Sequence, residues 1–301
     1  MIVNGRRLWI DSHVHAYAEM LEGGRIVFHA DALSDVMRAD AADLVWILSD
    51  ARPDYGQLNS RPADFVRLLN EAMLELVGLM PADRVFGSIA VHPGAVDESL
   101  EAIDVYAGEH GFPQVGEILG YALGFELDSP EMVAIARHAA RRGLPLECHC
   151  STTGQPEGEQ IRQTISLARQ VPEAKVIAAH AIGGGNSWLH ITAAEVYFDL
   201  GGENLWLEIR DLNTRGYLRA AVSRLGAERL IVGTDWMASG KPPYLPYGIL
   251  FHVEPDQMPY PSCAASLEGF LRESGCSDQD VDRIAAANSI ELFGLEGRLG
   301  L

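Results

Sequence analysis

Short apolar, β-branched runs alternate along this chain with longer segments whose Ala and Leu recur at helical spacing. The runs predict strands over residues 8–14, 44–48, 85–91, 114–118, 144–149, 175–180, 205–209 and 230–234. The periodic segments predict helices over 31–39, 63–79, 97–108, 130–142, 158–170, 187–198 and 214–225, then 262–274 and 278–292. Ser129-Pro130 reads as a helix cap followed by proline at the first helical position. Gly143 after Arg141-Arg142 suits a helix C-terminus, and Asp278 suits the cap of the last helix. Eight βα units in a row predict a parallel α/β sheet, and eight is the number that closes as a (β/α)₈ TIM barrel. An open doubly wound sheet is the alternative. With no Gly-Ser linker to divide it, residues 1–301 are expected to form a single domain. The stretch 236–261, rich in Pro, Tyr and Met, lacks clear periodicity; following the eighth strand, it is expected over the barrel mouth.

Composition narrows the function classes. The chain has 301 residues, 48% hydrophobic, which suits a large buried core. A net charge of −19 without a Lys/Arg run disfavours nucleic acid and anionic membranes as partners, and a small-molecule substrate is expected. Four cysteines, at 148, 150, 263 and 276, are too few and scattered for a disulfide framework. With no signal-like apolar segment at the N-terminus either, a cytoplasmic protein is expected. The aromatic loop residues make a homo-oligomer a reasonable expectation.

The chemistry is concentrated at strand ends. Strand one, LWIDSHVH, delivers His13 and His15; strand four, QVGEI, delivers Glu117; strand five, LPLECHC, delivers His149. Strand six ends in His180 and strand eight in Asp235. In a barrel these ends share one opening. Alternation puts His13 and His15 on one face and Ser12 and Val14 on the other. Imidazole and carboxylate donors suit zinc, manganese, iron or nickel. Six donors exceed what one tetrahedral catalytic zinc takes, so two divalent ions, expected to be zinc, bridged by Glu117 would use them all. Cys148 and Cys150 flank His149, and the same alternation turns them toward the helices as packing residues.

The pattern resembles the amidohydrolase superfamily in HVH, VGEI, the single histidines of strands five and six, and GTDW. IAAANSIELFGL and NLWLEI are similar to the ending and seventh strand of its amidohydrolase-related (amidohydrolase 2) group. GSIAVHPG and VGEI are more similar to TatD-type metal-dependent hydrolases, in which a glutamate bridges two metals. The carboxylated lysine widespread at strand four in the superfamily has Glu117 in its place, and the Asp that follows VGEI in TatD-type proteins is missing from LGYALGF.

These readings make the chain a metal-dependent hydrolase of an amide, lactone or other ester bond. His13, His15 and Asp235 hold one ion, and His149 and His180 the other. Asp235 serves as general base toward an activated water. Candidate substrate contacts are His92, Arg52, Arg210 and Trp236. The alternative for His92 is a structural role at the His-Pro turn, and for each arginine an ion pair. Three other functions stand beside this one: a mononuclear decarboxylase of an aromatic carboxylate, a TatD-like deoxyribonuclease, and a non-catalytic binding protein on the same barrel.

Overall fold

The computed structural model describes residues 1–3, 5–20, 25–28, 44–51, 58–150, 159–182, 202–209, 215–238, 246–247 and 260–301. Eight parallel strands form a closed ring: β1 (Trp9–Met20), β2 (Leu44–Ala51), β3 (Val85–Ile89), β4 (Gln114–Ile118), β5 (Leu146–His149), β6 (Val176–Ile182), β7 (Leu205–Ile209) and β8 (Leu230–Val232). Neighbours in sequence are neighbours in the sheet, and β8 returns to β1 through Val232 opposite Asp11. The (β/α)₈ barrel is thus the observed architecture rather than the open sheet. Beyond β8 the backbone of Trp236–Ala238 continues alongside β1, placing Trp236 opposite Val14 and Met237 opposite His15.

The helices α1 (Pro62–Val77), α2 (Val96–Gly108), α3 (Pro130–Arg141), α4 (Glu159–Gln170), α5 (Arg215–Leu225) and α6 (Tyr260–Glu273) follow their strands. The helices expected over 31–39 and 187–198 lie outside the described residues. On α1 the buried residues Phe65, Val66, Leu69, Ala72, Met73 and Leu76 recur at three- and four-residue spacing, which aims one stripe at the sheet. Burial of each large side chain there contributes about 1.5–3 kcal/mol. Ser129 caps α3, its hydroxyl accepting from the Met132 N–H at 3.3 Å. Gly143, at φ 73°, follows α3 in the left-handed conformation expected of it. The cap at Asp278–Asp282 differs from expectation. Ser277, not Asp278, is the capping residue, in a reciprocal box with Asp280.

Alternation along the strands divides the core. Trp9, Val14, Trp46, Leu48, Val115, Leu146, Cys148 and Leu207 pack outward with the helices. Cys150 joins that outer core, as alternation requires. Leu8, Ile10, Val45, Ile47, Phe86, Ile177 and Ile231 fill the lower barrel interior. Beneath them Ala286, Ile290, Leu292, Phe293 and Leu295 close the base. Asn288 ties this plug to the barrel by donating to the Ala227 and Leu230 carbonyls at 2.7 and 2.8 Å. Among the described residues no helix is long and apolar enough to cross a membrane.

Candidate metal centre

Above the apolar layer the barrel interior turns polar: Ser12, His13, His15, Ser49, Gln114, Glu117, Glu147, His149 and Glu208 are all buried. Two irregularities in strand register build this layer. Pairing between β1 and β2 shifts between Asp11 and Val14, so Ser12 and His13, adjacent in sequence, both reach the site. Ser12 was expected on the opposite face. Instead its hydroxyl lies 3.1 Å from Glu208 Oε1 and donates to the Val232 carbonyl at 2.8 Å. A second shift, between Val115 and Ile118, separates two outward residues by two positions and brings Glu117 in.

Four donor atoms converge. His13 Nε2 lies 3.1 Å from His15 Nε2, 3.4 Å from Glu117 Oε2 and 3.8 Å from Asp235 Oδ1. His15 Nε2 lies 2.9 Å from Asp235 Oδ1 and 3.5 Å from Glu117 Oε2. Ligand atoms on one tetrahedral ion, with bonds of about 2.0–2.1 Å, sit roughly 3.3 Å apart. The donors therefore fit a divalent cation in number, chemistry and spacing. Glu117 faces two ways: while Oε2 joins this group, Oε1 lies 2.5 Å from His149 Nδ1. The Tyr121 ring rests against His149, centroids 4.7 Å apart.

Asp235 is the one non-glycine residue among those described with positive φ, at 52°. That conformation costs an L-residue roughly 1–2 kcal/mol. Three bonds hold it: the Asp235 N–H donates to the His13 carbonyl at 2.9 Å, and Thr234 donates from both N–H and hydroxyl to Asp11, at 2.9 and 2.6 Å.

Two carboxylates that the strand-end reading did not single out stand behind His13. Glu208 Oε2 and Glu147 Oε1 lie 2.9 and 3.0 Å from Nδ1. Their signal was present: Glu147 is two residues before His149 in LECHC, and Glu208 two after Trp206 in LWLEI, so alternation puts both inside the barrel. Burial alone would depress the His13 pKa. The Glu147, Glu208 and Glu117 carboxylates outweigh it and hold it well above the ordinary imidazole value. Burial works to raise Glu117, but His13 and His149 pull it well below the carboxylate range. Glu147 goes the other way: burial and the nearby Glu208 and Glu117 charges raise it against the pull of His13.

The remaining expected residues fall differently. His180 lies in β6, and Trp236 just past β8, with only their backbones described. Arg52 and Arg210 lie outside the described residues. His92 is bonded into the turn that follows β3. Nδ1 accepts from the Gly94 N–H at 2.9 Å, Nε2 lies 3.0 Å from Asn59 Oδ1, and Phe65 and Phe125 flank the ring. Both nitrogens are thereby engaged, which argues against the substrate contact expected of it.

A family model described as Amidohydrolase matches residues 10–295. No curated protein matches the chain. Among solved structures, it is similar to a dihydroxybenzoic acid decarboxylase from Polaromonas with bound manganese and the inhibitor 2-nitroresorcinol, at 15% identity and TM-score 0.63, over 98% of this chain and 100% of that one. A 2,6-dihydroxybenzoate decarboxylase from Rhizobium is similar at 15% identity and TM-score 0.60, over 97% and 99%. A probable 2-pyrone-4,6-dicarboxylic acid hydrolase from Acinetobacter baumannii, with citric acid bound, is similar at 14% identity and TM-score 0.60, over 95% and 99%.

Proposed function

The chain belongs to the amidohydrolase family, and on that premise we propose that it is a divalent-metal-dependent hydrolase cleaving an amide, lactone or other ester bond of a small molecule. The observation that supports this reading is the two-way placement of Glu117, one oxygen beside His13 and His15 and the other on His149. A carboxylate so placed suits a bridge between two ions. His13, His15 and Asp235 would hold the first, and His149, with His180 as further ligand, the second. When bound, the metal supplies Lewis acidity, which makes water a competent nucleophile near neutral pH and polarises the scissile carbonyl.

The chain's own residues do the rest. Asp235 lies at the rim of the donor group, 17% exposed at its side chain, where it can take a proton from the attacking water and return it to the leaving group. Asp11 and Thr234 fix the turn that aims it. His13, His15 and His149 are buried in the same polar layer as Ser49 and Gln114.

A second reading is favoured by several of the similar structures, which are decarboxylases: loss of carbon dioxide from an aromatic acid at a single ion held by His13, His15 and Asp235. In that case Glu117 does not bridge. Metal content by elemental mass spectrometry, on wild type and Glu117→Ala, separates the two. The hydrolase reading expects close to two ions per chain, falling to one or none in the variant, with ester or lactone cleavage and no gas release. One ion per chain in both proteins, with carbon dioxide released from a dihydroxybenzoate, would overturn it in favour of the lyase.

A further inference from the structure

Glu208 lies outside the donor group, yet it is fully buried against a donor's far edge. We propose that Glu208 is a positioning residue for the metal centre: it accepts the Nδ1–H of His13 and so fixes the tautomer that presents Nε2 as the donor. This rests on the reading of His13 as a metal ligand. Three independent features point to Glu208 rather than Glu147 as the partner.

First, Glu208 Oε2 makes the hydrogen bond to Nδ1, at 2.9 Å. Glu147 Oε1 lies slightly farther from the same nitrogen, at 3.0 Å. Second, the other Glu208 oxygen lies 3.1 Å from the hydroxyl of Ser12, the residue that the irregularity in β1 turns inward. Glu147 is held on its second oxygen by Gln114 and Ser49, neither of them on β1. Third, room for Glu208 is built into the chain. A β-carbon at Gly233 would overlap the Glu208 carboxylate, so the glycine of GTDW leaves space for it. A ring nitrogen that donates to a carboxylate leaves its opposite nitrogen more basic and correctly oriented toward a metal, and loss of such a partner typically weakens metal binding about 10–100-fold.

The first test is on wild-type protein loaded with zinc and labelled with ¹⁵N. A long-range ¹H–¹⁵N histidine spectrum is expected to show His13 protonated at Nδ1 and metal-bound at Nε2. Protonation at Nε2 overturns the assignment whether or not any variant folds. The second test compares zinc affinity, by chelator competition, in Glu208→Leu and Glu147→Gln. About a 10–100-fold loss is expected in the first and less than about threefold in the second. A loss in Glu147→Gln as large as in Glu208→Leu, or no loss in Glu208→Leu, overturns it. Zinc affinity does not depend on which reaction is catalysed, so failure of the hydrolase reading leaves this result intact. Wild-type protein that takes up no zinc overturns instead the metal-site reading beneath it.

Discussion

His13 and His92 are both buried, yet their neighbours drive them in opposite directions. Three carboxylates surround His13 and hold its pKa up against burial. Among the described residues no carboxylate pairs with His92; it accepts from one N–H, sits beside an amide oxygen, and burial lowers its pKa. The consequence for stability has a definite sign. Above the unfolded value of about 6.5, His92 is neutral in both states and its contribution is complete. As pH falls below that value, the unfolded chain takes up the proton first, and stability is lost until the folded pKa is passed. His92→Asn keeps an acceptor for Gly94 but cannot titrate. Urea unfolding from pH 7 to 5 should therefore show a shallower acid loss in the variant, by at most about 1.4 kcal/mol per pH unit. Equal slopes would mean that another group carries the acid sensitivity.

At the level of elements, each predicted strand has a counterpart in the barrel, because strands buried on both faces write themselves as apolar runs. The residues His13, His15, Glu117, His149 and Asp235 were legible as a group because each closes or follows such a run. Local register was not legible. Strict alternation put Ser12 outside the site, and only the shift beside Asp11 reveals that Ser12 and His13 share the interior. The partnership of Glu208 with His13 joins positions far apart in sequence and exists only once β7, β8 and β1 are neighbours. Capping shows the same limit at short range. Ser277 and Asp278 are both good caps by residue type, and the backbone chose Ser277. Ser277→Ala should lower stability by about 1 kcal/mol in a denaturant titration. Asp278→Ala, which removes only an exposed pair with Arg272, should cost less than about 0.5 kcal/mol. The reverse order would refute the observed cap.

For the whole molecule, the donor group straddles the seam where the ring closes. His13 and His15 are on β1 and Asp235 follows β8, the first and last strands of the barrel. An ion held by all three ties the two ends of the barrel together, and its binding energy adds to folding. Zinc at about 100 times its dissociation constant should stabilise the chain by roughly 2.7 kcal/mol. Hydrogen exchange at the Asp235 amide, which donates to the His13 carbonyl, should slow in step. Unchanged exchange at that amide in the loaded protein would place the ion away from the seam.

The plug of Ala286, Ile290 and Phe293 turns the barrel into a blind vessel. Whatever reaches the polar layer arrives through the mouth and must depart by it. A molecule leaving that layer and one entering it therefore share a single doorway.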